Sequence, residues 1–145
     1  ENDIRAVKIP ALLEGLETVL LNHQEQVRQT KANPKYSATA GLSHNYQQFT
    51  TNLRVNLFGP YTLAHNATDS AFDKENSAKT LVDLSVNYAY TPSLSFTVGV
   101  QNLFDTYPDE QPVASQTGGI FKYPNTNAPF GFNGGYYYGE VTYRF

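Results

Sequence analysis

The fold is decided by the stretch between Thr80 and Gln101, which reads TLVDLSVNYAYTPSLSFTVGVQ. Apolar and polar residues alternate on both sides of Thr91-Pro92-Ser93. A period of two places successive side chains on opposite faces of a β-strand, and Pro and Ser are typical of turns. The stretch therefore predicts an antiparallel hairpin with one apolar and one polar face. The predicted apolar face consists of Val82, Leu84, Val86, Tyr88, Tyr90, Leu94, Phe96, Val98 and Val100.

The same alternation recurs in two other parts of the chain. Residues 36–57 predict a second hairpin around Gln47-Gln48, and residues 136–145 predict a last strand that ends on Phe145. Residues 2–9 are β-prone without sorted faces, and we interpret them as one more strand. Leucines at helical spacing predict one short helix over residues 11–21. The sequence thus predicts an antiparallel all-β protein with six strands and one helix in a connection.

Composition excludes several classes of function. The chain has 10 basic and 13 acidic side chains, and this balance argues against nucleic-acid binding, which needs clustered positive charge. It has no Cys and three scattered His, so no thiolate or His-rich metal site is predicted. Asp69, Asp73 and Glu75 lack the glycine and terminal Glu of a calcium loop. No nucleophile with a neighbouring base is apparent, so we predict neither catalytic residues nor a cofactor, and no enzymatic activity.

Hydropathy is compatible with a membrane protein that crosses by strands. The apolar runs are too short for a spanning helix, while mean hydropathy of −0.45 suits strands that alternate faces. Aromatic residues form two bands around an aliphatic belt, as in outer-membrane barrels. Tight turns at one end and long connections over residues 58–79 and 105–134 follow the same pattern. The bands are Tyr46, Phe49, Tyr88, Tyr90, Tyr143 and Phe145 at the tight turns, and Phe58, Tyr61, Phe104, Tyr107, Tyr136 and Tyr137 at the long connections.

Barrel closure decides between the remaining architectures. Strand edges in hydrocarbon must be paired, and six strands are too few to enclose a solvated interior. We therefore expect the strands to be part of a larger barrel. A soluble β-sandwich also alternates, and a complete small outer-membrane barrel with a structural or adhesive role is the alternative.

The residues in two blocks resemble the C-terminal portion of TonB-dependent outer-membrane receptors. One block is Val98-Gly99-Val100-Gln101-Asn102-Leu103-Phe104-Asp105 with Tyr107-Pro108, and the other runs from Gly134 to the terminal Phe145. The resemblance implies that residues 1–145 are the last six or so strands of a 22-stranded barrel, without the plug domain and earlier strands. It also implies import of a scarce ligand such as an iron-siderophore, with energy supplied by TonB through the plug region.

The resemblance also implies the roles of particular residues. Val141, Tyr143 and Phe145 would form the C-terminal signal for the barrel-assembly machinery. The alternative for Phe145 is that it simply belongs to the aromatic band facing lipid. The connection 105–133 would lie at the extracellular mouth of the barrel in the bacterial outer membrane. Its candidate ligand contacts are Phe121, Tyr123, Phe130 and Phe132, and the alternative is an ordinary surface loop.

Overall fold

The computed structural model describes residues 19, 21–65, 68–116, 118–124 and 128–145. These residues contain one α-helix, α1, at His23–Thr30, and a single turn of 3₁₀-helix at Val113–Ser115. The strands are β1 Ser37–Tyr46, β2 Phe49–Phe58, β3 Tyr61–Leu63, β4 Lys74–Asn76, β5 Lys79–Ala89, β6 Leu94–Gln101 and β7 Tyr136–Tyr143.

The long strands form one sheet in the order β1-β2-β5-β6-β7. β5 pairs antiparallel with β6, with Val86 opposite Val98, and β6 pairs antiparallel with β7, with Val98 opposite Gly139. Among the described strands, β1 and β7 form the two edges. The predicted antiparallel all-β class is confirmed, and the sheet is open.

Each tight turn lies at the same end of this sheet. Gln47 adopts a left-handed φ of 53° in the two-residue connection between β1 and β2. The Ala89 amide donates to the carbonyl of Gln48 at 2.8 Å, which brings the end of β5 to that turn. The Arg144 amide donates to the carbonyl of Ser93 at 2.8 Å, which brings the end of β7 to the second turn. Both predicted hairpin turns are therefore confirmed.

At the opposite end of the sheet, β6 ends in a turn held by side chains. Asp83 Oδ1 accepts from the Asn102 amide at 2.9 Å. Asn102, almost fully buried, donates to the carbonyl of Thr106 at 2.8 Å and accepts from its amide at 2.9 Å. Asp105 Oδ1 accepts from the Gly135 amide at 2.8 Å, just before β7 begins. Asn102 and Asp105 tolerate their left-handed φ of 53° because such side chains can bond the local backbone.

The chain divides into two compact units. The sheet unit comprises Ser37–Leu57, Lys79–Tyr107 and Asn133–Phe145. The connection unit comprises the described residues within Glu1–Tyr36, Phe58–Ala78 and Pro108–Phe132. In the connection unit, β3 and β4 form an antiparallel ribbon with Tyr61 opposite Asn76.

Helix α1 belongs to the connection unit and begins at a polar cap. Asn22 Oδ1 accepts from the Glu25 amide at 2.9 Å, as is typical of an N-cap asparagine. Val27 is the helical residue that is buried, at 4% exposure, and Ala32 follows the helix and is buried as well. The Thr62 amide donates to the carbonyl of Lys31 at 2.8 Å, which connects the helix end to β3.

Several expected elements differ from the structure. The predicted strand over residues 2–9 and most of the predicted helix over 11–21 lie outside the described residues. Helix α1 and the β3–β4 ribbon were not predicted, because α1 buries one apolar residue and the two strands have three residues each. Of the helices in the described part of the chain, none is long and apolar enough to cross a membrane.

Replacing Gly134 should test the turn that precedes β7. Gly134 has a φ of +71°, and a Cβ there would overlap Tyr107 Oη and Asp105 Oδ1. We expect Gly134→Ala to lower the free energy of unfolding by about 2 kcal/mol or more, from backbone strain and overlap together. Urea titration followed by circular dichroism measures the change.

Gly139→Ala is the matched control, because the nearest atom to a Cβ there is the Thr97 carbonyl oxygen at 3.9 Å. We expect this change to be neutral or slightly stabilising. Equal losses in both variants would show that the turn has no special need for glycine at Gly134.

Candidate functional site

One face of the sheet is lined by apolar side chains that follow the strand register. Leu84 lies opposite Val100, and Phe96 lies between Tyr88 and Val141. Because directly opposite residues share a face, the predicted sorting of β5, β6 and β7 is confirmed. We call this surface the apolar face, and it comprises Leu84, Val86, Tyr88, Leu94, Phe96, Val98, Val100, Tyr137, Gly139, Val141 and Tyr143.

The apolar face is uncovered over much of its area. Val98 is 64% exposed and Val141 is 65% exposed, whereas Val100 is 8% exposed. Leu42 of β1 is also exposed. Large aliphatic side chains in the middle of a sheet face are normally buried, and a contiguous exposed set marks a surface that meets protein, ligand or lipid.

Aromatic rings cluster where β2, β5 and β6 meet the tight turns. The ring centroids of Phe49 and Tyr88 are 4.8 Å apart and stacked, and Tyr90 is 6.3 Å from Tyr88 and 6.5 Å from Phe96. Such pairs add to the stability that burial alone provides. The structure thus brings together three members of the predicted band at this end, and adds Phe96.

The second predicted band is wrong at Tyr61, whereas its member Tyr136 lies on the polar side that the alternation of the last strand predicts. Tyr61 is buried in the connection unit, with 4% exposure, because the β3–β4 ribbon places it opposite buried Asn76. Tyr136 lies opposite Gln101, so the register puts it on the polar face of the sheet. Phe104 and Tyr137 are exposed, as expected of band residues.

The three residues of the predicted assembly signal lie at or after the end of edge strand β7. Val141 pairs with Phe96 and Tyr143 pairs with Leu94, which places both on the apolar face. The Tyr143 and Phe145 rings are 5.8 Å apart, and both are exposed. The structure therefore brings Tyr143 and Phe145 together, with Val141 exposed on the same face.

The predicted ligand-contacting residues of the long connection separate into pairs. Phe121 contacts Phe132 edge to face, with centroids 6.3 Å apart, and Phe130 stacks on Phe58 at 5.5 Å. The ammonium of Lys122 lies over the ring of Tyr123, 5.1 Å from the ring centroid. The contacts of the described residues do not join the four candidates into one cluster.

Lys122 is already paired within this connection. Its Nζ donates to Glu110 Oε1 at 2.7 Å, and this hydrogen bond, followed by that with Tyr123, raises the pKa of Lys122. The positive charge is therefore balanced by a carboxylate before any ligand arrives. An anionic ligand gains less from a cation that is already paired than from a free one.

A buried polar side chain, that of Asn76, contacts the same connection. Asn76 is 2% exposed, and its Oδ1 accepts from Gln111 Nε2 at 3.3 Å. Asp109 accepts from the Ser77 amide. Burial, and then the negative charge of Asp109, raise the pKa of the neighbouring Tyr61 to about 12. Among the described residues, none hydrogen bonds the Tyr61 hydroxyl.

Two of the three acidic residues of the connection 58–79, Asp69 and Asp73, have protein partners. Both carboxylate oxygens of Asp73 lie within 3.0 Å of His23 Nε2, and Asp69 Oδ1 accepts from the Ala71 amide at 2.9 Å. No group of three or more His, Asp or Glu suited to a metal ion occurs in the described ranges.

Two features of the structure had weak signals in the sequence: the burial of Tyr61, and the close approach of Tyr138 to Gly99. Tyr61 follows Gly59-Pro60, a pair that indicates a turn. That pair gives no sign that a buried strand begins at the next residue. Gly99 interrupts the polar side of β6, and an isolated glycine within a strand often marks a close approach by a neighbour. The structure shows that neighbour to be Tyr138.

No protein-family profile, characterised protein or solved structure matches this chain. The functional conclusions therefore depend on the sheet faces and connections described above.

Removing the Tyr61 hydroxyl should change the alkaline stability of the protein. An unfolded tyrosine ionises near pH 10, whereas burial and Asp109 delay the ionisation of Tyr61 to about pH 12. Below about pH 10 the tyrosine keeps its proton in both states, so its ionisation does not change the free energy of unfolding. As the pH rises towards 12, the unfolded state releases its proton first, and the free energy of unfolding falls. We expect Tyr61→Phe to lose less stability than the parent between pH 9 and about pH 11 in urea titrations.

At neutral pH the same variant should be as stable as the parent within about 1 kcal/mol, since an unpaired buried hydroxyl contributes little. Tyr137→Phe, which removes a tyrosine hydroxyl from an exposed position, is the matched control for the loss of a hydroxyl at neutral pH. A strong loss in Tyr61→Phe at neutral pH would show that the hydroxyl has a stabilising partner.

Proposed function

We propose that the sheet is a segment of a transmembrane β-barrel, the C-terminal part of a TonB-dependent receptor in the bacterial outer membrane. The receptor imports a scarce ligand such as an iron-siderophore and has no enzymatic activity. In this proposal the apolar face contacts lipid and the opposite face lines the interior of a barrel of about 22 strands.

The observation that carries the proposal is the exposure of Val98, on inner strand β6, and of Val141, on edge strand β7. A water-soluble sheet stabilises itself by burying such a face against a second layer. In a membrane the hydrocarbon performs that role, and the side chains remain exposed with respect to the protein. The exposed fractions, 64% and 65%, agree with lipid contact.

The arrangement of the connections supports the same proposal. Both tight turns lie at one end of the sheet, and the connections that follow β2 and β6 leave from the other. Outer-membrane barrels have short turns on the periplasmic side and long loops outside the cell. The connections 58–79 and 105–134 would then be extracellular, with Phe121, Tyr123, Phe130 and Phe132 as the candidate ligand contacts.

The open edges support a larger assembly. Backbone groups in hydrocarbon must be paired, so β1 and β7 each require a further strand in a membrane. The barrel-assembly machinery would recognise Val141, Tyr143 and Phe145 on edge strand β7, and TonB would act through the plug region. A complete small barrel with a structural or adhesive role also needs strands beyond the five of this sheet.

A charge on the apolar face should separate these proposals from a soluble sheet. Val86 lies opposite Val98, near the middle of the paired strands. We expect Val86→Arg in the gene product that contains this chain to cost about 2–4 kcal/mol in the membrane. Assembly should fall, as measured by the amount of protein in outer-membrane fractions and by heat-modifiable gel mobility.

Asn87→Arg is the matched control, because Asn87 is the next residue and points to the polar face, where it donates to Thr97 Oγ1. We expect this variant to assemble like the parent. Equal assembly of both variants, or a greater loss with Asn87→Arg, would contradict lipid contact by the apolar face.

A further inference from the structure

The turn before β7 contains an asparagine followed by a glycine, Asn133-Gly134. Asn133 is exposed, and none of the described residues hydrogen bonds its side chain. The Gly134 amide likewise has no acceptor within the part of the chain that the structure describes. The next amide, that of Gly135, is held by Asp105 Oδ1 at 2.8 Å. An unbonded carboxamide therefore lies next to an unbonded backbone amide at an exposed position.

The fold itself keeps glycine at the second position of this pair. Gly134 has a left-handed φ of +71°, and a Cβ there would overlap Tyr107 Oη and Asp105 Oδ1. Any other residue would have a side chain that shields its own amide nitrogen from attack. The contacts that define this turn therefore also leave the Gly134 nitrogen without that shield.

An asparagine before a glycine loses ammonia when the backbone attacks its side chain. The Gly134 nitrogen forms a bond to Asn133 Cγ, the bond from Cγ to Nδ2 breaks, and Nδ2 leaves as ammonia with the proton of the Gly134 amide. The product is a five-membered succinimide, which water opens at either of its carbonyls. Opening at Cγ gives aspartate, and opening at the main-chain carbonyl gives isoaspartate, whose main chain is longer by one carbon.

A second asparagine provides a comparison within the same chain. Asn76 is followed by serine, another small residue, but it is 2% exposed, and its side chain bonds to Gln111 and to the carbonyl of Lys74. The Ser77 amide donates to Asp109. A buried and bonded group reacts only when the structure opens locally. The folded protein therefore protects Asn76 and leaves Asn133 unprotected.

We propose that Asn133 is a site of spontaneous deamidation in the folded protein, with water as co-reactant and isoaspartate and aspartate as products. Each product adds a negative charge shortly before β7 begins at Tyr136. Isoaspartate also lengthens the main chain just before Gly135, whose amide bonds to Asp105. Both changes weaken the contact between the start of β7 and the turn that follows β6. The reaction does not depend on the proposed membrane role.

Peptide mapping by mass spectrometry tests the proposal on the gene product that contains this chain, folded in a zwitterionic detergent. The protein is incubated in water labelled with a heavy oxygen isotope and digested in ordinary water, so that products formed during the incubation carry the label. The readout is the protection of each asparagine, which is its deamidation rate in urea divided by its rate in the folded protein. We expect protection below about tenfold at Asn133 and well above about tenfold at Asn76.

Two variants test the consequence of the reaction for stability. Asn133→Gln keeps a carboxamide, but attack by the Gly134 nitrogen would have to close a larger ring, so this variant should gain no label there and keep its urea midpoint during the incubation. The urea midpoint of the parent should fall as label accumulates at Asn133. Asn133→Asp adds the charge without the extra carbon, and its midpoint should lie between those of the unreacted and the fully reacted parent.

Three outcomes would overturn the proposal. They are the absence of labelled product at Asn133 in the folded protein while the urea-unfolded protein reacts, protection at Asn133 as great as at Asn76, and an equal fall of the urea midpoint in the parent and in Asn133→Gln. The lipid contact of Val86 is measured by assembly into membranes, so either proposal can fail without the other.

Discussion

The strict alternation of side chains across paired strands is the constraint on which the sheet unit depends. In an antiparallel pair, a shift of register by one residue exchanges the two faces. The observed register keeps Val86, Val98 and Gly139 in one row and Asn87, Thr97 and Glu140 in the next. The apolar face, and the position of Tyr138 across Gly99, exist only in this register.

The two ends of the sheet are stabilised by different means. At the tight-turn end, stacked rings such as Phe49 and Tyr88 bury apolar surface between strands. At the other end, Asp83, Asn102 and Asp105 satisfy backbone amides where β6 stops and β7 starts. A buried amide without a partner costs free energy, so this polar network specifies how the strands end.

The connection unit is organised around buried polar groups as well as apolar ones. Asn76 and Tyr61 are among its most buried side chains, beside Val27 and Ala32. Asn76 has partners in Gln111 and its own ribbon, whereas Tyr61 is neutral because burial and Asp109 disfavour its anion. A core of this kind depends on hydrogen bonds between distant segments, which makes it specific to this sequence.

By itself, the sequence determined the five long strands, the two tight turns and the sorting of residues between faces. These features are local, since a period of two and turn residues such as Thr91-Pro92-Ser93 act within a few residues. Only the tertiary structure decided that Tyr61 is buried, that Phe121 and Phe132 pair apart from Phe130, and that Tyr138 lies across Gly99. Those features depend on which distant segments meet, and neither hydropathy nor spacing along the chain encodes that pairing.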